Sequence, residues 1–235
     1  VIKKFYKNQL DEQKLIKKYS NLICKKNRLN ALKEAENHDY KYAVFDDGLQ
    51  DRSINYDLSI VCFSNLLWIG NGFLIPAGPL REKIEALKKY DAVVLNGKKL
   101  LNEKIINKIK EINPKIEIFE SNYELKNLNK FNKDINYTIF SGIGNSKNFF
   151  KLLNKNELKI IKEFKFPDHH NYKDDDLQNI IHFAKVNNTK IITTEKDFIK
   201  LEKKYLDKIM VAKIELTISK QKEFVNFLKS KHEIN

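Results

Sequence analysis

The chain has 235 residues, with 44 Lys+Arg against 31 Asp+Glu and a formal net charge of +13. That length suits one large or two small domains with real cores, and fifteen Phe and ten Tyr among 42% hydrophobic residues exclude a disordered chain. Two distant cysteines, Cys24 and Cys62, exclude a disulfide framework or a cysteine zinc site and fit a reducing compartment, and no apolar run reaches the length of a transmembrane helix.

In chain order, short apolar runs at Tyr42–Phe45, Leu58–Phe63 and Ala92–Leu95 predict buried strands. Leu101, Ile105, Ile109 and Ile112 recur at helical spacing, and Asn113-Pro114 ends that helix. Ile116–Phe119 predicts another strand, and the Lys/Asn-rich residues 122–135 a linker. Beyond it come a strand at Tyr137–Phe140, a helix near Lys147–Leu153, a strand at Leu158–Phe164 and a helical stripe of Leu177, Ile180, Ile181 and Ala184. A strand at Lys190–Thr194, a short helix at Glu195–Leu201, a strand at Ile209–Ile214 and a last helix capped by Ser219 complete the chain. Strands alternating with helices predict an α/β fold with mainly parallel sheets and ligand sites at the carboxyl ends of strands. The expected division is residues 1–121, a linker at 122–135, and a second, smaller α/β unit at 136–235.

A charge of +13 favours polyanionic partners. Only Arg28, Arg52 and Arg81 are arginines, however, and the abundance of Lys, Asn and Ile is what AT-rich coding lays on a solvated surface, so most of the charge is read as such. An arginine retained where lysine otherwise serves points to a planar anion such as carboxylate or phosphate.

Seven glycines fall in a few short segments, and these are the candidate sites. Val44-Phe45-Asp46-Asp47-Gly48-Leu49-Gln50 ends an apolar strand in paired carboxylates, hard oxygen ligands suited to a magnesium–nucleotide site or, equally, to capping a turn. Gly70-Asn71-Gly72 and Pro76-Ala77-Gly78-Pro79 lead into a helix expected near Leu80, with Arg81 and Glu82 in its first turn. Glu82 there complements the helix dipole, whereas Arg81 opposes it and is read as an anion ligand. Asp168-His169-His170 offers an acid/base or orienting imidazole beside a carboxylate, or loop polarity with Asn171 or Asp174 as a helix cap. Thr193-Thr194-Glu195-Lys196-Asp197 is a strand-to-helix junction suited to a phosphate or to capping. No Gly-x-x-x-x-Gly-Lys-Ser/Thr loop occurs.

Taken in order, Asp46-Asp47-Gly48-Leu49-Gln50, Gly70-Asn71-Gly72 with Leu74-Ile75-Pro76-Ala77-Gly78-Pro79-Leu80-Arg81-Glu82, Ser141-Gly142-Ile143-Gly144-Asn145 with Phe149-Phe150, Asp168-His169-His170 and Thr194-Glu195-Lys196-Asp197 closely resemble the tetraacyldisaccharide 4′-kinase family. The resemblance covers essentially the whole chain. It implies a P-loop-kinase-like parallel sheet, with its N-terminal part missing, followed by the smaller α/β unit. It also implies transfer of the ATP γ-phosphate to the 4′-hydroxyl of a tetraacyldisaccharide 1-phosphate, a lipid A precursor, with ATP and Mg²⁺ as cofactors, at the cytoplasmic face of the bacterial inner membrane and with no nucleic acid.

Residue by residue, the resemblance gives Asp46 and Asp47 the acidic pair near magnesium, with Glu82 a further metal-site residue, and makes Arg81-Glu82 a charged pair of the active site. Leu10-Asp11-Glu12-Gln13 looks like a degraded Gly-Asp-Glu-Pro, so the base that accepts the sugar proton falls to Asp11, paired with His169. Arg28, Arg81, Asn71 and Gln50 are the implied substrate or phosphate contacts. Leu10, Asp51 and Ser64 depart from the family pattern. The family's phosphate loop and membrane anchor lie upstream of Asp11, so the chain is expected to be a fragment of a longer polypeptide. The alternatives are a catalytically decayed remnant or a basic polyanion-binding protein.

Overall fold

A computed structural model describes residues 1–6, 9–97 and 102–231. The chain forms two compact units, each assembled from two stretches: Val1–Ile54 with Leu125–Glu215, and Asn55–Glu124 with Leu216–Asn235.

The first unit begins with β1 (Ile2–Lys4), α1 (Leu10–Tyr19), β2 (Ile23–Lys25) and α2 (Arg28–Asn37). β1 and β2 pair in parallel, and Phe45 bridges to Ile2 from the other side, so that Ile2 N–H donates to Val44 O and Asp46 N–H to Ile2 O. Asn27 caps α2 by accepting from the N–H groups of Leu29 and Asn30. Ala31 and Ala35, one turn apart, then pack on the fully buried Ile2.

The rest of this unit is a four-stranded parallel sheet, β7-β6-β8-β9, built from β6 (Asn136–Ser141), β7 (Lys159–Lys165), β8 (Lys190–Thr194) and β9 (Ile209–Ala212). Parallel neighbours need crossovers, supplied by α4 (Ser146–Lys155), α5 (Asp174–Val186) and the single turn α6 (Glu195–Phe198). On one side of the central strands Tyr137 and Ile139 meet Phe149 and Leu153. A second core joins Phe140 and Ile191 to Leu177, Ile180 and Ala184. Each such buried aliphatic or aromatic side chain contributes roughly 1.5–3 kcal/mol.

The second unit holds β3 (Ile60–Ser64), β4 (Ala92–Asn96), α3 (Asn102–Ile112), β5 (Glu117–Leu125), β10 (Ile214–Ile218) and α7 (Gln221–Ser230). Its sheet has the order β10-β5-β4-β3, with β3, β4 and β5 parallel. Val93 and Leu95 face Ile105 and Ile109 of α3 on one side, while Ala92, Val94 and Phe119 meet Phe224 and Phe227 of α7 on the other.

The α/β character and the parallel sheets agree with the sequence. Several local expectations change. Only Phe45 of Tyr42–Phe45 makes a β-bridge. Leu101, expected to start the α3 stripe, lies outside the described residues. No helix starts at Leu80: Arg81 and Glu82 precede a 3-10 segment at Ile84–Lys89, so the dipole argument for Arg81 loses its helix. The residues expected as a linker carry the end of β5 and a 3-10 turn at Leu128–Lys130. Ile209–Ile214 divides at Lys213 into β9 and the start of β10. Ser219 does not cap α7; its N–H bonds Glu120 O instead, and Lys220 is the residue before the helix.

Candidate active site

Asp11 and Glu12 occupy the first turn of α1, where the exposed N–H groups and the helix dipole favour carboxylates. Asp11 is 7% exposed, and its oxygens lie 3.0 and 3.1 Å from His169 Nδ1. An ionised carboxylate only accepts, so the shared proton is the one on Nδ1. Nε2 then faces a donor, Lys196 Nζ, at 3.5 Å.

His169 stands on a turn whose backbone is left-handed at φ 59°. The turn is fixed from two directions: His169 N–H donates to Gly142 O at 3.1 Å, and His170 N–H to Pro167 O at 3.2 Å. A Cβ at residue 142 would press on Pro167 O and the Tyr172 hydroxyl at 3.0 Å, so the glycine after β6 lets the two segments close on each other. His170 points elsewhere, to Asp176 of α5 at 2.9 Å and onto the Phe166 ring.

The strand-to-helix junction after β8 supplies three groups around this pair. Asp197, wholly buried, accepts from Gly142 N–H (3.1 Å), the Tyr172 hydroxyl (2.8 Å) and the Thr194 hydroxyl (2.7 Å). Burial and the Asp197 carboxylate push the Tyr172 phenol well above its ordinary value, so it remains a donor. Lys200 Nζ, on a side chain 8% exposed, lies 2.9 Å from Asp197 Oδ1 and 3.9 Å from Asp11 Oδ2. That Asp197 oxygen is already occupied by two hydrogen bonds, and Lys200 forms an off-axis ion pair without a hydrogen bond of its own. Lys196 Nζ reaches Glu12 at 3.1 Å and Asp168 at 3.3 Å, and stands 4.0 Å from Asp11 Oδ2. Burial weakens the Lys196 charge, but Glu12, Asp168 and Asp11 outweigh it and raise the ammonium above its usual value. Burial likewise raises Glu12, and its hydrogen bonds to Lys196 and Lys3 more than reverse this, holding it below the ordinary glutamate value.

Lys3 of β1 joins this cluster to the acidic pair, bonding both Glu12 and Asp46. Arg28, at the start of α2, holds the backbone of the same segment, donating to Asp46 O (3.3 Å) and Asp47 O (2.7 Å), with Asp51 Oδ2 at 3.5 Å. Asp51 is thus a partner of Arg28, and it also accepts from the Ser53 hydroxyl at 2.5 Å. Asp47 carries a positive φ of 54° where the chain turns toward Gly48 and Gln50.

Among the described residues no three His, Cys, Asp or Glu side chains are grouped to hold a metal ion alone. Asp46 and Asp47 fit Mg²⁺ all the same, because that ion is usually held by one or two carboxylates together with phosphate oxygens and water.

Arg81, Glu82 and Asn71 belong to the second unit. Glu82 accepts from the Tyr90 hydroxyl at 3.0 Å, and burial plus this contact push the Tyr90 phenol up to about 12. Asn71 spends its amide within its own loop, donating to Ala77 O at 2.8 Å and accepting from Phe73 N–H at 3.2 Å. Sequence reasoning missed Lys3 and Lys200 as site groups and read Lys196 and Asp197 only as a helix cap or phosphate junction. Thr194 does cap α6, by accepting from Asp197 N–H.

The family model described as tetraacyldisaccharide-1-P 4'-kinase, LpxK, matches residues 8–233. A tetraacyldisaccharide 4'-kinase of Pelagibacter ubique is 48% identical over all of this chain and 74% of its own length. Relatives of the same name from Rickettsia canadensis and Rickettsia typhi are 38% and 35% identical over 81% and 89% of this chain, which spans 57% and 63% of their length. Among solved structures, LpxK of Aquifex aeolicus in complex with ATP matches with a TM-score of 0.62 at 22% identity, over 89% of this chain and 64% of that one, a likeness of fold. On the family match across residues 8–233 and the 48% identity over its whole length, this chain belongs to the tetraacyldisaccharide 4'-kinase family.

Proposed function

We propose that this chain supplies the base and acidic half of a kinase that phosphorylates the 4′-hydroxyl of tetraacyldisaccharide 1-phosphate in lipid A biosynthesis. The observation that carries the reading is the pairing of buried Asp11 with partly buried His169, which joins the Asp168-His169-His170 segment to the residue that the family resemblance implies as the base. ATP with Mg²⁺ supplies the phosphoryl group and neutralises its charge.

In this reading Asp11 accepts the proton of the sugar hydroxyl as that oxygen bonds to phosphorus. A free carboxylate, near 4, is a feeble base at neutral pH, and the hydrogen bond from His169 Nδ1 fixes its orientation and shares the proton. Asp46 and Asp47 would hold the metal. Lys3, in contact with Asp46, and Arg28, on the backbone of both acids, keep this segment in place. Arg81, Glu82 and Gln50 are assigned to substrate, phosphate or metal. Asn71 is assigned to the same contacts: its amide gives one donor to Ala77 O and one lone pair to Phe73 N–H in its own loop and keeps a second of each for a ligand. The substrate's acyl chains place the work at a membrane surface, the cytoplasmic face of the inner membrane, without a nucleic-acid partner; among the described residues no helix is long and apolar enough to cross the membrane.

The test is ATP-dependent 4′-phosphorylation of the lipid substrate, comparing this chain with a polypeptide extended upstream through a phosphate-binding loop. The reading expects activity from the extended polypeptide and negligible activity from the chain alone. An extended polypeptide that binds ATP and leaves the lipid unphosphorylated would show that this chain has lost the chemistry.

A further inference from the structure

We propose that the loop from Asn65 to Leu80 in the second unit inserts its apolar side chains into an anionic lipid surface. The inference rests on the membrane-surface reading above and names the element that makes the contact.

Between Asp57 and Arg81 no residue carries a charge, in a chain of which 32% is charged. The first part of that run is β3, which packs in a sheet and needs no charge. The loop after it has no such excuse. Leu66, Leu67, Phe73 and Ile75 are 57%, 70%, 63% and 62% exposed, grouped within ten residues. Scattered single apolar residues on a surface are ordinary, whereas a contiguous set marks an interaction site.

The exposure does not come from a loose loop. Leu80 N–H donates to Phe73 O, Ile75 N–H to Leu80 O and Gly78 N–H to Leu74 O, and the Asn71 amide closes the turn from both ends. Gly78 is required, since a Cβ there would run into Asn71 Oδ1 and the Phe73 carbonyl. Trp68 anchors the base of the loop on Phe63, with ring centroids 4.8 Å apart. The loop is therefore held in a shape that keeps these side chains out of the core.

Two features select lipid over protein as the occupant. Much of the loop's polar backbone is satisfied internally, in part by the Asn71 side chain, as entry into hydrocarbon demands, whereas a protein interface normally carries a polar rim with hydrogen bonds to offer. The residues that follow, 81–90, hold four cations against two acids, and Lys83, Lys88 and Lys89 are exposed, complementary to anionic headgroups.

Trp68 is the only tryptophan of the chain and serves as a built-in reporter. The experiment adds phosphatidylglycerol-rich vesicles, with and without brominated acyl chains, and follows Trp emission alongside sedimentation of the chain with the vesicles. Leu67→Trp in a Trp68→Phe background carries the reporter to the most exposed of these positions. The expected result is a blue shift, quenching by the brominated chains, binding that persists in high salt, and at least about a tenfold loss of partitioning in a folded Leu67→Asp, Phe73→Asp variant. Sedimentation with both reporters unshifted and unquenched overturns the loop assignment and leaves the membrane reading standing. No sedimentation with anionic vesicles overturns both. A reporter buried without lipid, in a concentration-dependent oligomer, assigns the loop to a protein contact and also overturns the proposal.

Discussion

His169 Nδ1 lies 3.0 Å from Asp11 Oδ1 although the two residues are 158 positions apart, one in the first turn of a polar helix and the other on a left-handed turn after β7. The pair is assembled by the segments around it. Gly142 receives the His169 N–H, Asp197 receives the Gly142 N–H, and the cations beside Asp197 come to within 4.0 Å of Asp11. A carboxylate held this way has its orientation decided before a substrate arrives, which is where acid–base and phosphoryl-transfer enzymes gain much of their rate.

Asp197 is the keystone of that assembly, and truncating it leaves a buried ammonium without its counter-ion and a phenol, a hydroxyl and a backbone N–H without their acceptor. Asp197→Ala is expected to cost about 3–5 kcal/mol in urea unfolding, and Tyr172→Phe, which deletes one hydrogen bond, about 1 kcal/mol. Equal small losses for both would mean that the carboxylate does not organise the site.

Lys200 is expected to act through Asp11. In an active, upstream-extended polypeptide, Lys200→Met should lower kcat by about tenfold, the value of roughly 1.4 kcal/mol of lost positioning, and leave KM for ATP unchanged, with Lys200→Arg restoring part of the rate. A change in KM alone would place the ammonium on a substrate instead.

The Lys196 cluster gives stability a pH dependence with a definite sign. Burial raises Glu12 and Asp168, yet Lys196, joined by Lys3 at Glu12, pulls both below their ordinary values of 4.5 and 3.8. Groups lowered in the folded state add stability above their unfolded values, and that stability disappears as pH falls through the folded ones. Denaturation at neutral pH and at successively lower pH should therefore show a steeper acid loss, beginning near 4.5, in the parent chain than in Lys196→Met. Parallel curves would remove the linkage.

The elements legible in the sequence were those whose pattern is set by burial: β4 and β8 as short apolar runs, α3 and α5 as helical stripes, β6 as the strand before the glycine loop. α1 and α2 were not legible, because α1 buries Asp11 and Gln13 and α2 only two alanines, and neither leaves an apolar stripe. Three-residue β1 and β2 are too short to show alternation. The return of the chain to its first unit at Leu125 has no local signal either, since it depends on which distant strands pair.

For the site, Asp46, Asp47 and the adjacent His169 and His170 stand out as chemistry between strand and helix, while the choice of His169 over His170 and the role of Asp11 come from the family resemblance and not from their own surroundings in the sequence. Lys200 is one more lysine in a lysine-rich chain, and only its burial against Asp197 separates it from the solvated ones. Arg81 illustrates the opposite case: its anion-ligand reading leaned on a helix start at Leu80, which the fold replaces with a 3-10 segment further on.

Gly78 offers a check on the loop's construction that does not involve lipid. Gly78→Ala forces a Cβ against Asn71 and the Phe73 carbonyl, so the Gly78 N–H to Leu74 O bond and its neighbours should open. Amide exchange across Phe73–Leu80 is expected to quicken while β4 stays protected; unchanged exchange would mean that the loop accommodates the methyl group.

The most direct measurement on the central claim is the rate of 4′-phosphorylation by the upstream-extended polypeptide carrying Asp11→Asn, His169→Ala or both. If the pair acts as one base, each single variant loses on the order of 10²–10⁴ in kcat/KM, and the double variant is little worse than the Asp11 variant alone. Full activity in Asp11→Asn, or losses that multiply as for independent groups, would contradict it.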